Sequence, residues 1–274
     1  MESPVKIAIL DLYDGEPNQG MRCIKEIIGK FGNQVDTQVF DVRGKEEIPG
    51  TKHDIYICSG GPGNPMDGDG HWDKRFYGLI QDLWNWNTYE NLPKKHVFFI
   101  CHSFQMACHL FGVGKITERR SESFGIFPIH KTPEGKTEHL FTKLANPFYG
   151  ADFRHYQVVS PQVERLESLD AHILALEKIR PHVNLERAIM AVRFSNEFIG
   201  VQFHPEANAE GMLVHFSDEN RKTTIINKHG KEKYDQIIRD LKDPNRIELT
   251  HDTILPDFIT NAINQLKEET ILVH

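Results

Sequence analysis

Apolar positions in the first half of the chain come in two alternating patterns. Short unbroken runs alternate with stretches in which apolar residues recur every three or four positions. Lys6-Ile7-Ala8-Ile9-Leu10-Asp11 reads as a buried strand, and Met21, Ile24, Ile27, Ile28 and Phe31 then fall at helical spacing. Val39-Phe40 with its neighbours suggests a second strand, and Asp54-Ile55-Tyr56-Ile57-Cys58 a third. The third strand runs into Ser59-Gly60-Gly61-Pro62-Gly63-Asn64-Pro65, a loop of turn-forming residues. Phe76, Leu79, Ile80, Leu83 and Trp84 predict a helix over 76–86, followed by a strand over 96–100 and a helix over 104–111. Strands alternating with helices predict a mostly parallel sheet covered on both faces.

The second half is patterned differently. Strand-like segments at 125–130, 173–176, 189–193 and 198–203 have few helices between them, which predicts an antiparallel section added to the sheet. Residues 152–156 read as a loop, over a pocket or on the plain surface. Beyond Phe216 the chain becomes polar (Asp218-Glu219-Asn220-Arg221-Lys222), with helical patterns at 232–241 and 253–266. This divides the chain into a domain over 1–216 and a helical C-terminal extension, 217–274, packed on the same domain.

Composition narrows the function classes. A chain of 274 residues with 39% hydrophobic and 26% charged content can bury a sizeable core. The net charge of −7 and the absence of a basic block give no support to a nucleic-acid partner or an anionic membrane surface. No signal peptide and no apolar run of about 18 residues is visible, so no membrane span is expected. The four cysteines (Cys23, Cys58, Cys101, Cys108) show neither CxxC spacing nor disulfide density, which fits a reducing cytoplasm. The 15 histidines show no HExxH and no zinc spacing. No metal and no cofactor is expected.

The chemistry concentrates in two short motifs, Phe98-Phe99-Ile100-Cys101-His102-Ser103-Phe104-Gln105 and Val201-Gln202-Phe203-His204-Pro205-Glu206. Cys101 follows an apolar strand and precedes a helix, a turn that exposes a nucleophile at the carboxyl end of a sheet. The helix N-terminus and a nearby imidazole both favour the thiolate. His204 and Glu206 are two apart, so on a strand they share a face, and the carboxylate can orient the ring. The backbone N–H of His102 and a second N–H from the Gly60-Gly61 loop would form an oxyanion hole. Alone, Cys101 reads as a small buried hydrophobe and His204 as a core histidine; together the motifs read as an activated thiol. Cys58 and Cys108 read as packed thiols.

Ser59-Gly60-Gly61-Pro62-Gly63, the Cys101 turn with Gln105 four residues on, and Phe203-His204-Pro205-Glu206 resemble, in order and separation, the class I glutamine amidotransferase family, and in particular a GMP-synthase-glutaminase-like domain. The resemblance covers roughly residues 5 to 216. It implies an α/β, flavodoxin-like fold: an open mostly parallel sheet flanked by helices, with an antiparallel section and the helical extension. It implies a Cys-His-Glu triad that hydrolyses the γ-carboxamide of glutamine, or of a γ-glutamyl compound, through a thioester. Cys101 would be the nucleophile, His204 the base and acid, and Glu206 the orienting carboxylate. Gly61 and His102 would be oxyanion donors, and Gly60 and Gln105 would bind substrate. Glu122 and Gly125 lie near positions where the family contacts the bound amino acid. The family usually has Gly two residues before and two after the cysteine. Phe99 and Ser103 stand there, which predicts a reshaped turn or a displaced helix.

Three readings follow. The first is an amidase, acting alone as a γ-glutamyl hydrolase or passing ammonia to a separate synthetase subunit. The second is acyl transfer to another acceptor, and the third a non-catalytic binding module that retains the fold. A homo-oligomer is compatible with all three.

Overall fold

In the computed structural model, which describes residues 3–16, 18–89, 91–182 and 184–273, the apolar runs of the first half become the parallel part of a sheet. In chain order the elements begin β1 (Val5–Asp11), α1 (Gln19–Gly29), β2 (Val35–Asp41), β3 (Ile55–Cys58), α2 (Trp72–Thr88), β4 (His96–Ile100) and α3 (His102–Phe111). They continue with β5 (Lys115–Lys131), α4 (Pro133–Thr137), β6 (Phe148–Val159), α5 (Val163–Leu169), β7 (His172–Glu177), β8 (Ile189–Arg193) and β9 (Phe198–Val201). Helices α6 (Ala209–Ser217), α7 (Glu219–His229), α8 (Lys231–Lys242) and α9 (Glu248–Val273) follow.

Among the described residues the sheet runs β2-β1-β3-β4-β9-β8-β6-β5-β7. The ladders linking β2, β1, β3, β4 and β9 are parallel. Those among β5 to β8, and between β8 and β9, are antiparallel. β7 pairs back onto β8, so this part curls into a small closed ring. The expectation of an open, mostly parallel sheet therefore holds for the first half only. Parallel pairing needs a long crossover, usually a helix, and the short links in the second half, such as the one between β7 and β8, supply none.

Residues 152–156 correct the sequence reading too: they lie inside strand β6. Their charges disguised them. Asp152 and Arg154 are buried and paired at 2.9 Å, Ser123 donates to Asp152 at 2.7 Å, and Glu177 binds Arg119 at 2.9 Å. A buried, mutually satisfied charge network carries no apolar signature. Helices α6 and α7 also escaped the sequence pattern, whereas α8 matches its predicted segment to within one residue at each end and α9, at 26 residues, runs nearly twice the predicted length.

The parallel strands β1, β3, β4 and β9 are buried on both faces, whereas the edge strand β2 is largely exposed. One face packs under α1 and α9, bringing Ile24, Ile27, Phe258 and Ile259 against Ile7, Ile57, Phe98 and Ile100. The other packs under α2, α3 and α5, with Phe76, Ile80, Phe104, Cys108 and Leu166 on Ala8, Tyr56 and Phe99. A third cluster forms where α6 and α8 cover β5 and β6, joining Met212, Phe216, Ile237 and Leu241 to Ile126, Phe124 and Phe153. The described helices include none long and apolar enough to cross a membrane.

Candidate active site

Strand β4 (HVFFI) is buried at every residue, so it delivers Cys101 at the carboxyl end of the sheet. Cys101 sits at φ 50° and ψ −98°, outside the regions open to most L-residues. Such strain persists where the surroundings over-determine it. Here the Cys101 N–H donates to the Val201 carbonyl at 2.8 Å, and the Cys101 carbonyl accepts from Gln105 N–H at 3.0 Å. α3 starts at the next residue, which sets the sulfur at a helix N-terminus.

The unusual elbow residues are accommodated one by one. The Ser103 hydroxyl accepts from Ile100 N–H at 2.8 Å and lies 2.8 Å from the Cys58 carbonyl and 3.0 Å from that of Ile100. It thus ties the start of α3 to the ends of β3 and β4. Phe99 is fully buried and pairs across the ladder with Gly200. A Cβ on Gly200 would stand 2.7 Å from Phe104 and 3.1 Å from Phe99, so the small residue on the neighbouring strand makes room for both rings. The helix still begins directly after Cys101, and the expected displacement is not needed.

His204 and Glu206 do not lie on a strand, as the two-residue spacing suggested. β9 ends at Val201, and 202–206 forms a turn whose His204 N–H donates to the Ala151 carbonyl of β6 at 2.8 Å. Glu206 nevertheless reaches the imidazole: its Oε1 lies 2.8 Å from Nδ1, which leaves Nε2 for the thiol. Burial opposes the charged ring, yet the charges and hydrogen bonds of Glu206 and Cys101 win and raise the His204 pKa well above its ordinary value. An imidazolium next to a cysteine stabilises the thiolate.

The remaining residues named from sequence separate. Cys101, Gly61, Glu122, His204 and Glu206 line one pocket of about 390 Å³. His102, first in α3, has a backbone N–H with no intrahelical acceptor, while its ring is buried and its pKa pushed down to about 3 by burial and by Arg43. Gly61 lies under the Leu12 carbonyl, where a Cβ would come within 2.5 Å. Gly60 and Gln105 are not brought to the pocket. A Cβ on Gly60 would stand 2.9 Å from the His204 ring, so its role is close approach. Gln105 spends its amide on Gln202 at 3.0 Å and on the Tyr156 carbonyl at 2.9 Å. Gln202 in turn reaches the Cys101 sulfur at 3.6 Å. Gly125, with φ at 139°, abuts Lys233 and Ile237 of α8.

Several site residues carried no sequence signal. Tyr13 lines the pocket, and burial together with Glu206 and Cys101 pushes its phenol well above the usual range. His251, at the start of α9, lies 2.9 Å from the Glu206 carbonyl, so the C-terminal segment braces the turn that carries the acid. Phe124, Phe153, Met212 and Phe216 form a wall of the pocket.

Comparison with known proteins places the chain in a family and matches its fold. The family model described as glutamine amidotransferase class-I matches residues 18–216. A glutamine amidotransferase from Thermotoga maritima superposes with a TM-score of 0.67 at 14% identity, covering 94% of this chain and 98% of that one. A GMP-synthase-type protein from Thermoplasma acidophilum gives 0.53 at 16%, covering 76% and 87%. The glutaminase domain of Trypanosoma brucei CTPS, with bound acivicin, gives 0.55 at 17%, covering 74% and 86%. At these identities the likeness is one of fold. No curated protein sequence matches.

Proposed function

The chain belongs to the class I glutamine amidotransferase family, and we propose that it hydrolyses the γ-carboxamide of glutamine or of a γ-glutamyl compound through a thioester on Cys101. The observation that carries this reading is the strained cysteine at a helix N-terminus, lining one pocket with a histidine that Glu206 holds at 2.8 Å. Cys101 attacks the γ-carbonyl carbon, and the backbone N–H groups of Gly61 and His102 receive the oxyanion. His204 gives its proton to the departing nitrogen as the C–N bond breaks. Water then attacks the thioester, His204 takes its proton, and the C–S bond breaks to release the acid. Glu206 holds the ring in place throughout. Gln105 acts as a positioning residue through Gln202.

The assembled Glu206–His204 pair supports chemistry over the non-catalytic reading, and nothing in the pocket favours an acyl acceptor other than water. The proposed activity covers a γ-glutamyl hydrolase acting alone and an amidase that passes ammonia to a separate synthetase subunit, which the test below separates. The buried free thiols Cys23, Cys58 and Cys108 fit a reducing, cytoplasmic setting. The test is ammonia or amine release from L-glutamine and a panel of γ-glutamyl amides. We expect Cys101→Ala to lower kcat by at least about a thousandfold. Equal rates in wild type and variant would remove Cys101 from the chemistry. Silence in both, with Cys101 still alkylated by an electrophilic glutamine analogue, would require a partner.

A further inference from the structure

The wall of the pocket beside His204 is aromatic. Phe124 and Phe153 are cross-strand neighbours on β5 and β6, half-buried, with ring centroids 5.0 Å apart. Phe216 of α6 lies 6.1 Å from each, and Met212 stands one turn before it. Phe153 approaches the catalytic imidazole to 6.3 Å. This wall is assembled from both the sheet and the C-terminal helices, and it faces the open volume of the pocket.

The direction of the reaction says which part of the substrate meets it. The imidazole that activates Cys101 must also protonate the leaving nitrogen, so that nitrogen sits at His204. Whatever it carries extends toward Phe153. Ammonia carries nothing, and beside it the half-buried rings of Phe124 and Phe153 would keep their open faces to water. A volume of about 390 Å³ is in the range that holds ligands larger than a free amino acid. Burying an apolar group against such a wall is a substantial source of affinity.

We infer that the substrate is an N-substituted γ-glutamyl amide whose amine carries an aromatic or branched apolar group, which the wall of Phe124, Phe153, Met212 and Phe216 receives. This rests on the amidase reading above. The reaction balances as R–CO–NH–R′ plus water giving R–COOH and R′–NH2. Cys101 displaces the amine, His204 protonates it, and water releases glutamate from the thioester. Phe124 and Phe153 are specificity residues and touch the leaving group.

The test compares kcat/KM of the full chain for γ-glutamyl-benzylamide, γ-glutamyl-methylamide and L-glutamine, read as glutamate release. The two amides both lose a primary alkylamine, which makes the apolar group the main difference between them. We expect the benzylamide to be preferred by about tenfold or more. Phe153→Ala and, separately, Phe124→Ala should bring the benzylamide-to-methylamide ratio toward unity. Free benzylamine should inhibit the wild type at lower concentration than methylamine, a readout that needs no variant to fold. Turnover of glutamine and methylamide as fast as benzylamide would overturn the inference and leave the amidase reading standing. Failure to hydrolyse any of the three would overturn the inference, and a Cys101 that also resists alkylation by an electrophilic glutamine analogue would overturn the amidase reading with it.

Discussion

Ser103 shows how a single residue can substitute for a family preference. A glycine at this place would let helix and strand approach; the serine bonds them together through Ile100 and Cys58. All of these atoms are buried, so Ser103→Ala strands the Ile100 N–H without water to replace the hydroxyl. Such losses cost about 1–3 kcal/mol. We expect Ser103→Ala to lower the melting temperature accordingly in a calorimetric scan, and kcat to fall with it because Cys101 loses one of the constraints on its strained backbone. An unchanged melting temperature would make the hydroxyl incidental. At this scale the sequence singled out Cys101, His204 and Glu206, which the structure brings to one pocket, because Cys, His and Glu carry chemistry in their side-chain types. It did not foresee the surroundings of Gly60 and Gln105, whose backbone approach and amide bonds depend on partners far along the chain.

At the scale of elements, α9 is the most consequential piece outside the sequence motifs. It lays Ile254, Leu255, Phe258, Ile259, Ala262 and Ile263 on the same face of the sheet that α1 covers. Phe258 meets Phe98 of β4 edge-on at 5.0 Å, one strand residue from Phe99 and three from Cys101. Removing this ring leaves a cavity against the central strand, and we expect Phe258→Ala to cost about 3–5 kcal/mol by denaturant unfolding. Val214→Ser on the exposed face of α6, 72% exposed, serves as the control and should change little. Equal effects from the two would mean that α9 is not part of the core. The helix was legible because its apolar stripe is periodic. α7 was not, since Ile225 is the residue it buries and, apart from the half-buried Ile226, its remaining surface is polar. β6 was not, since its buried charges imitate a surface loop. An apolar stripe made α9 readable; β6 satisfies its burial by charge pairing and α7 barely buries anything, whereas α6 buries Met212 and Phe216 but its 9 residues are too few to show a helical period.

For the whole molecule, the histidines set the response to acid. His96 in β4 is buried, and burial, helped by Lys95 and Arg193, lowers its pKa to about 4; that of His102 falls to about 3. In the unfolded chain both should titrate near 6.5. Below that pH the unfolded chain takes up protons that the folded chain refuses, so stability declines as pH falls. The loss is about 1.4 kcal/mol per pH unit for each histidine, until the folded value is reached. His204 has the opposite sign. Its raised pKa contributes stability that is fully present below the unfolded value and is lost only as pH rises through the folded one, so it adds no acid loss. The two buried neutral rings therefore leave a net decline between about pH 6.5 and 4. His96→Leu removes one of them from the titration, and its unfolding free energy should fall less steeply over this range, by about 1.4 kcal/mol per unit. Parallel pH profiles for wild type and variant would show that His96 keeps its proton on folding, which would require an acceptor or an opening in β4 that the buried strand does not contain.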